Sequence, residues 1–307
     1  MAETPSNVPA DQVALRPAAT VMLVRDNAEG TGIEVLMVQR NLNSDFVGGA
    51  YVFPGGAVDP ADSTEAVERR SGGRTDANAS EILGIPSGGL AYFIAVLREC
   101  FEEAGILLAN DPAGTMLRLD DAATAERFAE HRHKLNNREC TFVEIAEAED
   151  LHLAVQDVAY FAHWITPEGA PRRYDTRFFV ARAPEGQVPA HDAGEVIADV
   201  WIAPQEALLA HQRNEIELIF PTIKNLQAIS RFSTVDALLD AAAHAESVPA
   251  IMPRITVTGE GVRILLPGDE GYDDYVSPTH ATPPTDFNAT IKRVSHHANP
   301  GDGTATS

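Results

Sequence analysis

The 307-residue chain is poor in cysteine, in basic charge and in long apolar runs. Its two cysteines, Cys100 and Cys140, are too few for a disulfide framework or a Cys-based zinc site, and they suit a reducing compartment. Lys and Arg total 23 against 45 Asp and Glu, a formal net charge of −22. A chain this acidic lacks the basic footprint that nucleic acid polymers and anionic membranes require. It does not exclude a small phosphorylated substrate, because a bound cation reverses the local sign. No run of about 18 apolar residues occurs, which excludes a membrane-spanning helix. The opening MAETPSNVPADQ has neither the basic nor the apolar region of a signal peptide, so the expectation is a cytoplasmic protein.

What is present is globular. Hydrophobic residues make up 44% and charged residues 22%, and the length suffices for one large domain or two ordinary ones. Residues 1–16 are expected to form a flexible arm, 17–245 the main domain, 246–275 a C-terminal hairpin or extension, and 276–307 a disordered tail. Ala18–Val24 and Ile33–Gln39 are β-branched and apolar and predict strands. Residues 47–60 (VGGAYVFPGGAVDP) predict a strand entering a tight glycine-rich loop. Residues 63–90 are polar and aperiodic, an insertion with at most a short helix near Thr64–Arg70. Residues 91–104 predict a helix that Gly105 stops. Polar helices over 119–150 are followed by strands at 158–165, 176–181 and 195–202 and by helices from Pro204. With strand connections too short for repeated βαβ crossovers, the fold class is a mixed α/β sandwich.

The chemistry lies in Arg98-Glu99-Cys100-Phe101-Glu102-Glu103-Ala104-Gly105-Ile106. At about 100° per residue, Glu99, Glu102 and Glu103 share an arc of about 100° opposite Ile94, Leu97, Phe101 and Ala104. Carboxylates so placed repel one another, and a hard divalent cation removes that cost while retaining sites for water and phosphate. Ala95, between the carboxylates, is expected to leave room for metal and substrate. The glycine loop Phe53-Pro54-Gly55-Gly56 permits close approach, and a Gly55-Gly56 carbonyl is a candidate further ligand. A Glu-rich helix alone is more often a solvated face; loop, helix and terminator together are more specific.

Together these residues resemble the Nudix hydrolases. The family box runs Gly, five residues, Glu, seven residues, Arg-Glu-aliphatic-any-Glu-Glu-any-Gly-aliphatic. Arg98 to Ile106 match its second half, with Cys100 at the first aliphatic position. Gly56 opens its first half, with Asp62 where glutamate is usual. Between Asp62 and Arg98 stand 35 residues instead of seven. An interrupted box of this kind resembles the branch containing a mammalian peroxisomal coenzyme A diphosphatase. Gly49 to Gly56 is similar to the end of the Nudix coenzyme A signature, although Asp45 stands where its arginine belongs. His163–Pro167, Arg172–Phe179 and Trp201–Pro204 look like the same branch.

The resemblance implies an α/β/α sandwich with a mixed sheet, and hydrolysis of a nucleoside diphosphate derivative with Mg²⁺ or Mn²⁺. It points to coenzyme A or acyl-coenzyme A. ADP-ribose, NADH or a nucleotide sugar, and a non-catalytic nucleotide-binding module, are the alternatives. By carry-over, Glu99 and Glu103 are metal ligands, with Gly56 beside them. Glu102 is a further ligand or activates water, and Arg98 orients the box carboxylates. Glu195, in HDAGEV, is the candidate base. Arg40, Arg172, Arg173 and Arg177 are candidate phosphate clamps, because the guanidinium fork matches phosphate oxygens; each is otherwise a surface arginine or the partner of an acid such as Asp175. Tyr51, Phe53, Trp164 and Phe178 are read as core aromatics or base-stacking platforms. The 63–90 insertion leaves a lid, a homodimer contact and a disordered loop all open.

Overall fold

The computed structural model describes residues 9–42, 48–191, 195–258, 261–282, 290, 291 and 295. Asp45, at the signature's arginine position, lies outside them. Nearly continuous apolar runs build Leu15–Asp26 (β1) and Ile33–Arg40 (β2), so both faces of these strands need cover. There follow Tyr51–Val52 (β3), Gly55–Ala57 (β4), Glu65–Arg70 (α1), Asp76–Leu83 (α2) and Gly89–Ala104 (α3). Ala109–Asn110 (β5), Ala122–Asn136 (α4), Phe142–Ala148 (α5), His152–Leu153 (β6), Val158–Ile165 (β7) and Arg173–Arg182 (β8) come next. The remainder comprises Val196–Ile202 (β9), Pro204–Gln212 (α6), Phe220–Ile229 (α7), Val235–Ala243 (α8), Ala250–Ile251 (β10), Arg254–Thr258 (β11) and Gly261–Leu265 (β12).

The main sheet is mixed, in the order β10-β7-β8-β1-β2-β3. β1 runs parallel to β8 from Leu15 opposite Arg173 to Val24 opposite Arg182. It pairs with β2 only at its far end, Val24–Asp26, and near its start it pairs instead with β4. β2 turns to β9 and β3. The strands therefore part, and the glycine-rich segment enters beside β1. On one face of the sheet Ala19, Val21, Leu23 and Phe179 pack against α3, with the Phe93 and Phe179 rings 4.8 Å apart. On the other face Met22, Val24, Phe178 and Val180 pack against α7 and α8. This is the expected α/β/α sandwich, with α3 as a central helix rather than a half-solvated one. Ala95 is fully buried in its core, not placed between the carboxylates, because the helix is covered on almost every side.

The insertion is ordered. α1 and α2 are capped by Thr64 and Thr75, and bury Val67, Ala79 and Leu83 in the core around α3. The carboxylate of Asp76 accepts the N–H groups of Gly88 and Leu90, so the insertion supplies the N-terminal cap of α3. That helix begins at Gly89, two residues before the sequence expectation, and ends at Gly105, whose left-handed φ of 70° only glycine adopts at little cost.

The ends also differ from expectation. Residues 9–16 are no free arm: Ala10 is buried, its N–H meets the Thr279 carbonyl, and β1 begins at Leu15. β10 joins the main sheet beside β7, and only β11 and β12 form the separate hairpin. The described part of the tail is packed, with Thr282 N–H on the Gly169 carbonyl and Ile291 buried against Ala50 and Ala170. Apolar residues scattered in a polar segment find partners that no local periodicity announces.

Candidate active site

A cleft of about 950 Å³ opens where β1 and β2 part. Its polar floor holds Gly55, Gly56, Asp62, Arg98, Glu99, Glu102 and Glu103, with Arg40 and Glu195 at its side.

Arg98 organises this floor. Its Nε and Nη2 each donate at 2.9 Å to the two Asp62 oxygens, and Nη2 also reaches the Ala57 carbonyl. Nη1 donates to Glu99 at 2.7 Å and to Glu102 at 2.9 Å. Asp62 is 1% exposed and also accepts the Asp59 N–H, forming a capping box. The two halves of the interrupted box therefore meet as if the insertion were absent. Burial alone would lower the Arg98 pKa, but the hydrogen bonds and charges of Asp62, Glu99 and Glu102 outweigh it and push it up.

Glu103 is 6% exposed and accepts the Gly55 N–H at 3.0 Å. Burial, then the Glu99 charge, pushes it up to about 8, against the Gly55 N–H and the Arg40 charge. Burial likewise pushes Glu99 up to about 7, opposed by Arg98 and reinforced by Glu102. Glu102 is raised by burial, opposed by Arg98 and reinforced by Asp62 and Glu195. Asp62, Glu99 and Glu102 thus share the Arg98 guanidinium, and together with Glu103 the four carboxylates exceed the counter-charge of Arg98 and Arg40.

That excess tests the fit of a metal. The donors are hard oxygens, as Mg²⁺ and Mn²⁺ prefer. The Glu99 carboxylate lies directly on Gly56, where any β-carbon would intrude. Among the described residues no three Asp, Glu, His or Cys side chains converge into a finished ion cage, because Arg98 holds Glu99 and Glu102 while Gly55 holds Glu103. The residues fit a hard divalent cation by donor chemistry and by uncompensated charge.

Of the other predicted residues, Glu195 is exposed and lines the cleft, and its carbonyl accepts the Asn41 N–H. Arg40 lines the cleft, and its buried Nε has no hydrogen-bond partner among the described residues. Arg172, Arg173 and Arg177 do not line it. On β8, Tyr174, Thr176 and Phe178 face the cleft, so alternation turns Arg173 and Arg177 to the opposite face. There Arg177 lies 4.4 Å over the Tyr92 ring and binds Asp175, while Arg173 donates to the Thr166 carbonyl. Arg172 is exposed at the strand's start. Phe53, Trp164 and Phe178 line the cleft, whereas Tyr51 does not. Cys100 is fully buried and its thiol is pushed up to about 12 by burial, so it is no nucleophile.

Sequence reasoning missed two arginines. Arg132, on α4, donates through Nε and Nη2 to the Glu102 carbonyl and through Nη1 to the Ala190 carbonyl. It ties the end of α3 to the segment leading toward Glu195. Arg138 lines the cleft from the end of α4, at a left-handed φ of 59° and with no ion partner among the described residues. Both sit in polar helical sequence that gives no local sign of which side chain turns inward.

A family model described as the NUDT19 Nudix domain matches residues 74–229. Acyl-coenzyme A diphosphatase NUDT19 of Gallus gallus is 29% identical over 293 residues, covering 82% of this chain and 77% of the relative. The Homo sapiens protein of that name is 27% identical over 275 residues, covering 78% and 72%. The crystal structure of a Nudix hydrolase from Alicyclobacillus acidocaldarius superposes with a TM-score of 0.60 at 26% identity, over 76% of this chain and 99% of that one. With Asp62 rejoined to Arg98 across the insertion, and Glu99, Glu102 and Glu103 gathered on one cleft floor, the chain belongs to the Nudix hydrolase family, within the group defined by the NUDT19 Nudix domain.

Proposed function

We propose that this enzyme hydrolyses the diphosphate of coenzyme A or an acyl-coenzyme A with Mg²⁺ or Mn²⁺, giving a phosphopantetheine and adenosine 3′,5′-bisphosphate. The observation that carries the reading is the Arg98 knot, which draws Asp62, Glu99 and Glu102 together beside Glu103 in a cleft large enough for a nucleotide derivative. The relatives named acyl-coenzyme A diphosphatases support the substrate.

Glu99 and Glu103 hold the metal, Glu102 is a further ligand, and the Gly56 backbone stands beside them. When bound, the divalent ion neutralises phosphate oxygens and lowers the pKa of water. Glu195, exposed at the cleft side, accepts the proton of the attacking water, which adds to one phosphorus as the bridging oxygen leaves with its electron pair. Arg40 meets the diphosphate with its guanidinium, whose buried Nε has no hydrogen-bond partner among the described residues. Arg98 touches no substrate; it spaces the carboxylates. Two unpaired cysteines support a reducing compartment, read as the cytoplasm, which cell fractionation tests.

The test is a panel of coenzyme A, ADP-ribose, NADH and a nucleotide sugar with Mg²⁺ or Mn²⁺, products resolved by chromatography. Cleavage of ADP-ribose but not coenzyme A overturns the substrate. No cleavage of any member, with Glu103→Gln indistinguishable from the parent, favours a non-catalytic binding module.

A further inference from the structure

The cleft does not end at the carboxylates. Beyond them its wall is apolar, built from Ile219 and Phe220 at the start of α7, from Pro253, Ile255 and Ile264 around the β11–β12 hairpin, and from Ile291. Ile255 and Ile264 are directly opposed across the two strands, so both project from one face of the hairpin. Each is only part-buried, which leaves aliphatic surface facing the cavity. Ile291, 9% exposed, packs with Ile219 and Ile255 and anchors the hairpin to the domain.

Position and chemistry both restrict the occupant. The cavity of about 950 Å³ is far larger than a diphosphate needs. On the hairpin side, at Pro253, Ile255, Ile264 and Ile291, the wall is aliphatic, which suits an alkyl chain, whereas Phe53, Trp164, Phe178 and Phe220 elsewhere in the cleft offer the stacking faces that a purine needs. Pro253, Ile255, Ile264 and Ile291 all lie beyond residues 74–229, the part matched by the family model. The C-terminal segment thus supplies these four residues to the same cleft that holds the carboxylates.

We propose that this wall is the subsite for the acyl chain of an acyl-thioester substrate, and that the β11–β12 hairpin sets the chain-length preference. The proposal rests on the coenzyme A reading above. Each methylene that leaves water raises kcat/KM by up to about fourfold, until the chain outgrows the wall. Arg40, with the cation that Glu99 and Glu103 would hold, recognises the diphosphate common to all such substrates, so the hairpin changes the ratio between them.

The experiment measures kcat/KM of the full-length chain for free, acetyl-, octanoyl- and dodecanoyl-coenzyme A, below their micelle concentrations. For the parent we expect the octanoyl-to-free ratio to exceed about tenfold. Ile264→Trp, which fills the cleft beside Ile255, lowers the dodecanoyl-to-free ratio at least about tenfold. Ile255→Ala, a smaller change that keeps the hairpin, lowers the octanoyl-to-free ratio by about threefold to tenfold. Each ratio is internal to one variant, so partial unfolding does not move it. A flat chain-length profile in the parent, or ratios unchanged in both variants, overturns the proposal while leaving the coenzyme A reading intact. Failure of the parent to cleave any of the four removes that reading and the proposal with it.

Discussion

The Glu99 carboxylate rests against the backbone of Gly56, so closely that a β-carbon on residue 56 would stand 2.4 Å from its Oε1. Gly56 opens the first half of the box and Glu99 stands in the second, across the whole insertion. The intruded group is the end of a flexible side chain, so Gly56→Ala displaces the carboxylate rather than the fold. The expected result is a kcat lowered about 10- to 100-fold with a loss of stability within about 1 kcal/mol. Kinetics and thermal melting of one preparation check it; wild-type kcat would show that Glu99 needs no such seat.

Glu103 makes stability depend on pH. Its folded pKa is raised to about 8 from an ordinary 4.5. Its contribution is therefore full below about pH 4.5 and is lost as pH climbs toward 8. Glu103→Gln keeps an acceptor for the Gly55 N–H and removes the charge. In metal-free buffer the variant should gain on the parent from pH 5 to 8, by on the order of 1 kcal/mol per pH unit at most. Excess Mg²⁺ should reverse the order, because only the ionised carboxylate binds it. Chemical denaturation at three pH values, with chelator or with Mg²⁺, gives the answer; a pH-independent difference refutes the assignment.

Arg98 is predicted to be irreplaceable by lysine. A single ammonium cannot serve Asp62 bidentately while reaching Glu99 and Glu102, and the knot is almost wholly buried. Arg98→Lys should cost on the order of 3 kcal/mol in urea denaturation. A double-mutant cycle with Asp62→Asn should show strong coupling. Additive effects would mean that the rejoined box is not energetically joined.

Glu195→Gln separates proton transfer from binding. If Glu195 is the base, kcat falls by about 10²- to 10⁴-fold while KM and the stabilisation by Mg²⁺ stay as in the parent. A KM change alone would make it a binding residue.

The arginines divide by strand face. Arg40→Met should raise KM for the diphosphate substrate about tenfold or more, since it removes a charge-assisted contact of about 1.5–3 kcal/mol. Arg177→Met should leave KM alone and lower the melting temperature, because Arg177 serves Asp175 and Tyr92 away from the cleft. The opposite pattern would place the clamp on β8.

Local chemistry was legible from local pattern. The amphipathic run from Ile94 to Gly105 predicts a helix with its glutamates on one arc, and Gly105 ends it as glycine does. Strand positions followed from β-branched runs. The arginine readings failed at Arg173 and Arg177 because a one-residue step along a strand reverses the face, and only the register with β1 decides which face meets the cleft. Ile291 stands isolated in polar sequence, where nothing local shows that its single apolar side chain docks where Ala50 and Ala170 leave a place.

Alone, then, the sequence determined the reaction class, the arc that gathers Glu99, Glu102 and Glu103, and the net acidity of the chain, since these depend on residue type and short-range spacing. The tertiary structure decided that Asp62 and Arg98 meet despite 35 intervening residues, that Arg40 rather than Arg173 or Arg177 faces the cleft, and that the C-terminal hairpin walls it. Those outcomes depend on contacts between distant segments, whose pairing is settled by burial and strand register and not by anything written within either segment.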